Sequence, residues 1–198
     1  GYFTGTVDMD PGPGVYNLTM PAGHTEPNAF LLKLDASGNF LWAKHFGGTT
    51  DDERDAAGLE LDHLGNVYVY GSFKINIFFE PNGTLWTTSN SESPFLCKFS
   101  SSGNLIWGYG WDGFNGYGRF TDITTDQNAN VYVSGLFTGT IDFNPLPGGG
   151  GNYNPKTSVG AQDICLIKMS SSGFVKRVKV TGSTGDDALR SITLSEDR

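Results

Sequence analysis

Oxygen-bearing residues on tight turns are where chemistry would begin in this chain. Asp8-Met9-Asp10 and Asp142-Phe143-Asn144 stand just ahead of Pro-containing turns. Two close side-chain oxygens on such a turn suit calcium, which makes Asp8, Asp10, Asp142 and Asn144 the candidate metal residues. The competing reading is local, because Asp and Asn also close turns by accepting hydrogen bonds from their own backbone. Phe78-Phe79-Glu80 fills the corresponding place mid-chain, and the spacing is not that of an EF-hand loop. No other cofactor is implied.

A second group of acids, Asp51-Asp52-Glu53 and Asp186-Asp187, follows glycine turns. Asp51, Asp52, Asp186 and Asp187 are candidates to receive a cation or a sugar hydroxyl; the alternative is that they bond backbone N–H groups nearby. Trp86 is the candidate for stacking on a sugar ring, since a flat apolar face suits that contact. Other chemistries find no residues. His24, His45 and His63 share no ligand spacing, and structural zinc needs clustered Cys and His. No Gly-x-Ser-x-Gly elbow is present, so no catalytic residue is assigned. Gly108-Tyr109-Gly110-Trp111-Asp112-Gly113 spells a dinucleotide fingerprint, but that motif needs a helix to follow, and an aromatic-rich loop follows instead.

The elements that must position these residues recur three times. Gly1-Tyr2-Phe3-Thr4-Gly5-Thr6-Val7-Asp8 returns as Gly71-Ser72-Phe73-Lys74-Ile75-Asn76-Ile77-Phe78 and as Gly135-Leu136-Phe137-Thr138-Gly139-Thr140-Ile141-Asp142. In step with it run Phe30-Leu31-Leu32-Lys33, Phe95-Leu96-Cys97-Lys98 and Cys165-Leu166-Ile167-Lys168. Repeats of about 1–70, 71–134 and 135–198 follow, in a single segment covering 1–198. Self-similarity at this scale fixes architecture before any local motif does.

Each repeat offers four strand-like runs: a short one at Leu59 to Asp62, then Asn66 to Phe73, Ala29 to Leu34 and Phe40 to Phe46 in their respective copies. Turns such as Ser100-Ser101-Ser102-Gly103 join the last two as a hairpin. Helical periodicity is absent. Four short antiparallel strands with apolar residues on both faces describe a propeller blade, which packs between neighbours and so keeps neither face wet. The expected fold is all-β, a partial β-propeller of about three four-stranded antiparallel blades. The surplus length beyond a common blade lies at one place in every repeat, Val7 to Asn28, Ile77 to Ser93 and Ile141 to Asp163. Insertions that map to one position line one face of the assembly, often the binding face.

Bulk properties agree. Charged residues make up 17% of the chain and aromatics 13%, enough apolar surface to exclude disorder. A net charge of -8 argues against nucleic-acid phosphates as partners, and no nucleic acid is expected. No apolar stretch reaches the ~18 residues of a membrane helix, so no membrane insertion is expected. Cys97 and Cys165 replace core-facing residues of the repeat and read as buried free thiols. The repeat pattern is cut at both ends, so the chain is expected to be a piece of a longer protein or to pair with a second copy.

The repeated residues resemble a known family. Asn66-Val67-Tyr68-Val69-Tyr70-Gly71-Ser72-Phe73, the Phe-Leu-x-Lys strand, Ser37-Gly38-Asn39-Phe40-Leu41-Trp42-Ala43-Lys44 and Gly47-Gly48-Thr49-Thr50-Asp51-Asp52 look like the bacterial β-propeller repeat family often called the seven-bladed propeller repeat. The resemblance covers nearly the whole chain. It departs where Arg177 replaces Trp42 and Trp107, and where Phe174 replaces Asn39 and Asn104. It implies a secreted or cell-surface bacterial protein, with a signal sequence outside this chain, and no shared activity. The expected function is a non-enzymatic scaffold or adhesion module for protein or glycan. The alternative is part of a propeller enzyme acting on polysaccharide or peptide, with acidic residues near a central channel.

Overall fold

The computed structural model describes residues 1–20, 26–47, 54–79, 86–87, 92–111, 116–144 and 154–195. All regular structure among them is β. Three main sheets follow one another along the chain. The first holds β1 (Tyr2–Phe3), β4 (Asn28–Leu34) and β5 (Phe40–Phe46), in the order β1-β4-β5. The second holds β6 (Arg54–Leu61), β7 (Val67–Phe73), β10 (Ser93–Phe99) and β11 (Leu105–Gly110), ordered β6-β7-β10-β11. The third repeats this with β12 (Gly118–Thr125), β13 (Val131–Phe137), β16 (Asp163–Met169) and β17 (Val175–Thr181). All strand pairs within these sheets are antiparallel. The chain is a partial β-propeller, and each sheet is a blade.

The sequence repeat and the blade differ in phase. A repeat counted from Gly71 begins inside β7, whereas hydrogen bonding groups 54–110 and 118–181 as the units. The first strand of each full blade is also longer than expected from Leu59 to Asp62. Its register shifts between Ala56 and Gly58 in β6, and between Phe120 and Asp122 in β12. A bulge puts one extra residue in the strand, so side chains change face and the period-2 pattern is hidden from the sequence.

Packing follows from alternation along the strands. Phe95, Cys97 and Phe99 of the second blade meet Ala29, Leu31 and Phe46 of the first in one core. Leu96, Tyr68, Tyr70 and Trp107 leave the opposite face of the same blade and meet Cys165, Ile167 and Met169 of the third. The second and third blades therefore each bury an apolar face toward the blade before them. Both cysteines lie in these cores as free thiols, and burial pushes the Cys165 thiol up to about 12.

The insertion also has a framework. A two-stranded ribbon forms in every copy: β2 (Thr6–Asp8) with β3 (Asn17–Thr19), β8 (Asn76–Ile77) with β9 (Trp86–Thr87), and β14 (Thr140–Asp142) with β15 (Pro155–Thr157). Each ribbon is entered through a residue with positive φ, Gly5 at 66°, Ile75 at 62° and Gly139 at 64°. Glycine adopts that conformation freely, and isoleucine does so only under strain.

Candidate functional site

Among the described residues, polar side-chain arrangements recur from blade to blade at the ribbon ends and at the joints between blades. At the ribbon ends, the candidate calcium residues are engaged with backbone. Asp8 Oδ1 accepts from Asp10 N at 3.0 Å and from Tyr16 N at 2.8 Å, which closes the first ribbon. Asp142 Oδ1 accepts from Asn144 N at 3.0 Å and Asn154 N at 2.9 Å in the third. Asp10 Oδ1 takes Gly12 N. The bonds from Tyr16 and Asp10 hold the Asp8 carboxyl below its ordinary value. Among the described residues no group of three or more acidic, His or Cys side chains gathers as a metal would need.

Asp186 and Asp187 lie in the turn after β17. Asp186 is exposed and bridges Gln162, and the Asp187 carboxylate accepts from Ser183 N at 2.6 Å. Asp51 and Asp52 lie outside the described residues. Among the described residues, Asp186 and Asp187 are the members of this set whose placement is seen. Trp86 is half-buried on β9, edge-on to Tyr109 with ring centroids 6.0 Å apart, and packs against the second core.

The joints between blades hold a repeated device that sequence reasoning listed without reading. Lys33 Nζ and Trp42 Nε1 of the first blade both donate to Ser101 O, in the β10–β11 turn of the second, at 2.7 and 3.1 Å. Lys98 Nζ and Trp107 Nε1 of the second donate to Ser171 O, in the β16–β17 turn of the third, at 3.3 and 3.1 Å. The turn ends in a glycine at φ +83° or +86°, directly under the indole. A Cβ on Gly103 would lie 2.7 Å from Trp42, and one on Gly173 would lie 2.8 Å from Tyr109 and 3.2 Å from Trp107. The signal was in the repeat itself, because a Lys that recurs on a core strand needs a partner.

Behind Lys98 is a buried polar node. Asp62 accepts from Leu64 N and Asn66 N through one oxygen. Its other oxygen takes Asn66 Nδ2 at 2.9 Å and Tyr68 OH at 3.3 Å, and pairs with Lys98 at 3.3 Å. Burial alone would raise the Asp62 carboxyl, but the two Asn66 bonds and Lys98 outweigh it and hold the group below its ordinary value. The third blade repeats the node with Asp126, Asn130 and Tyr132, and Lys168 donates to Tyr132 OH and lies over its ring, 4.6 Å from the centroid.

The far face of the third blade is where the pattern breaks. Tyr132, Leu166, Lys168, Arg177 and Lys179 line a cleft there, bounded by Ile192, Thr193 and Leu194. Ile192 N donates to Asp122 Oδ2 at 2.8 Å, which ties this last segment to β12.

Similarity to known proteins agrees with this architecture. The chain is 28% identical over 193 residues to an uncharacterized WD repeat-containing protein of Acanthamoeba polyphaga mimivirus. The match covers 88% of this chain and 13% of that protein, so the chain spans a small part of its relative's length. No family model matches the chain. The chain is of the β-propeller repeat type. The relative is viral, so the bacterial family of the resemblance gains no support from it.

Proposed function

We infer that this segment is a non-enzymatic propeller module that presents a binding surface at its ribbon ends. The observation that carries the reading is the ribbon itself. Three blades place the same two-stranded insertion after the same strand, on a shared frame with different tips. The frame recurs down to the side chains, since Thr6 and Thr19 pair at 3.1 Å as Thr140 and Thr157 do at 2.8 Å. The tips differ in length and residue type, as a surface adapted to a ligand would. The first tip exposes Pro11, Gly12, Pro13, Gly14 and Val15 above a rigid base.

Protein or glycan is the ligand class proposed, in a secreted or cell-surface setting that rests on the resemblance to the bacterial repeat. The WD-repeat relative supports the scaffold part of this reading. Of the paired acids of the enzyme alternative, Asp186 and Asp187 lie among the described residues and Asp51 and Asp52 do not. The test is a screen of the purified chain against arrayed glycans and surface proteins, beside a variant whose 11–15 tip is replaced by Asn-Gly. A ligand retained by the native chain and lost by the variant, with an unchanged melting curve, is the expected outcome. Binding that ignores the tip, or no binding on either array, overturns the proposal.

A further inference from the structure

Where the second ribbon meets the first blade, polar groups are buried without partners among the described residues. Asn28, at the head of β4, is fully buried, and His45 on β5 is 8% exposed. Both polar atoms of the Asn28 side chain and Nδ1 of His45 are sealed from solvent and make no hydrogen bond. Groups in that state call for a physical reason. The two side chains leave one face of the sheet, since Phe30, two residues from Asn28, is paired with His45. Phe78, which follows β8, covers this spot. Its ring centroid is 6.0 Å from that of His45, and a Cβ on Gly47 would lie 2.7 Å from the Phe78 ring and 3.0 Å from Asn28 Nδ2. Phe78 N donates to Gly47 O at 2.7 Å and Gly47 N to Phe78 O at 3.4 Å, a bridge from the second ribbon to the edge of the first blade.

The corresponding positions of the other copies are built differently. Ser93 and Asp163 head β10 and β16 as Asn28 heads β4, and the burial of Asp163 is compensated, because Val159 N donates to it at 2.9 Å and Gly160 N at 3.4 Å. Gly110 and Val180 hold the position of His45, paired with Phe95 and Cys165 as His45 is with Phe30. Asp8 and Asp142 hold that of Phe78 and close their own ribbons instead. The setting around His45 suits a neutral imidazole and penalises a charged one. Phe3 of β1 lies 5.9 Å from its ring, Asn28 and Phe30 share its face from β4, and Phe78 meets it from the second ribbon. Among the described residues these elements present no carboxylate to it. The Gly1 amino group is across β4, bonded to Phe30 O at 3.2 Å, and Lys33 and Lys44 leave the opposite face of the sheet. Aromatic faces attract a cation, but less than unpaired burial penalises one. Burial accordingly lowers the His45 pKa.

We propose that His45 is an acid-released latch that holds the second ribbon on the first blade. While the imidazole is neutral, Phe78 covers it and the bridge to Gly47 stays closed. Once it is protonated, the Phe78 ring must move aside for water to reach the charge, and the bridge opens. Release is confined to the bridge, because Ile77 and Phe79 on either side of Phe78 are buried in the second core. Local opening of this kind costs less than unfolding. The docked form takes up its proton less readily than the open form, whose histidine has the ordinary value of about 6.5. Docking is therefore fully favoured above about pH 6.5 and is lost as pH falls below it. The unpaired atoms are already sealed by the residues around them, so the latch is independent of whatever adjoins either end of this chain.

The test is amide exchange of the full chain by NMR from neutrality down to about pH 5, corrected for the intrinsic dependence of exchange on pH. Opening at the Phe78 and Gly47 amides is expected to rise about tenfold for each pH unit below about 6.5, until the docked imidazole is itself protonated. Strands β13 and β16 of the third blade should stay protected over the same range. The ring of His45, assigned by its loss in His45→Gln, should titrate below the ordinary histidine value. His45→Gln and His45→Leu put a neutral side chain under Phe78 and are expected to keep the bridge closed throughout, and circular dichroism melts at neutral pH check that each folds. Phe78→Ala is expected to leave the Gly47 amide fast at every pH. Opening that ignores pH in the native chain overturns the proposal. So does the same acid response in a folded neutral variant, or a His45 ring that titrates at its ordinary value.

Discussion

The joint between the second and third blades and the open face of the third blade use the same positions for opposite conditions. At the joint, Trp107 and Tyr109 stack at 5.3 Å, and Lys98 is buried among them with its carboxylate and its turn carbonyl. At the open face the corresponding residues are Arg177, Lys179 and Lys168, all on a wetted cleft. The Asp, Asn, Tyr and Lys of the node survive in both places. What changes is the outer strand, from aromatic to cationic. The node is thus a property of the blade, and the indole a property of the joint. Cations along β17 also discourage unspecific pairing of an outer strand.

Breaking the closed node should cost most. Lys98→Met strands the Asp62 carboxylate inside the molecule, and removing one partner of a buried ion pair typically costs about 3–5 kcal/mol. A denaturation midpoint shifted by less than that of an ordinary surface variant would show that the Asn66 bonds suffice alone. Adding Asp62→Asn to Lys98→Met is expected to recover part of the loss, since the charge that was stranded is gone.

Truncating the indole comes next. Trp107→Ala empties a space between blades and frees Ser171 O, for a loss of about 3–5 kcal/mol. Arg177→Ala, at the same position of the open face, is expected to leave the stability of a single chain unchanged to within about 0.5 kcal/mol. Equal losses at the two positions would erase the distinction drawn between joint and open face.

Acid sharpens the same contrast. Asp62 and Asp126 are both held below their ordinary values, chiefly against burial by the bonds from Asn66 and Asn130. A carboxylate with a depressed folded value stabilises above its unfolded value, near 4, and loses that contribution as pH falls through the folded value. The share of the melting temperature that these two carboxylates supply should therefore be flat from neutrality to about pH 5 and fall below about pH 4. Asp62→Asn is expected to flatten the acid limb more than Asp126→Asn, because Lys98 pairs directly with Asp62.

The smallest effect concerns the ribbons. Ile75 holds the left-handed conformation that Gly5 and Gly139 hold in the other copies. Ile75→Gly should raise stability by about 0.5–1 kcal/mol, relief of strain exceeding the entropy that glycine costs. A loss on thermal melting would mean that the side chain of Ile75 contributes more by packing than its backbone costs.

Much of the blade was legible because its pattern is local. Strands β4, β5 and β7 show alternation and turn residues within a few positions, and repetition three times over confirmed them. β6 and β12 were not legible in full, since a bulge shifts the side-chain period within each. The ribbons were recognised only as variable insertions, because strands of two or three residues leave no period to read. Asp8 and Asp142 stood in the sequence as either ion ligands or turn-closing acceptors, and the backbone bonds they accept depend on which N–H groups the fold presents.

The sequence by itself determined the blade: its repeat, strand order, turn glycines and the Lys that recurs in every third strand are all encoded within some tens of residues. Only the tertiary structure decided what that Lys and the tryptophan beside it do. Their acceptor, a main-chain carbonyl 59 to 73 residues away, has no side-chain identity for a sequence to display. A backbone oxygen becomes a partner only when one blade is laid against the next, and that geometry is set by the summed packing of two faces rather than by any residue in either.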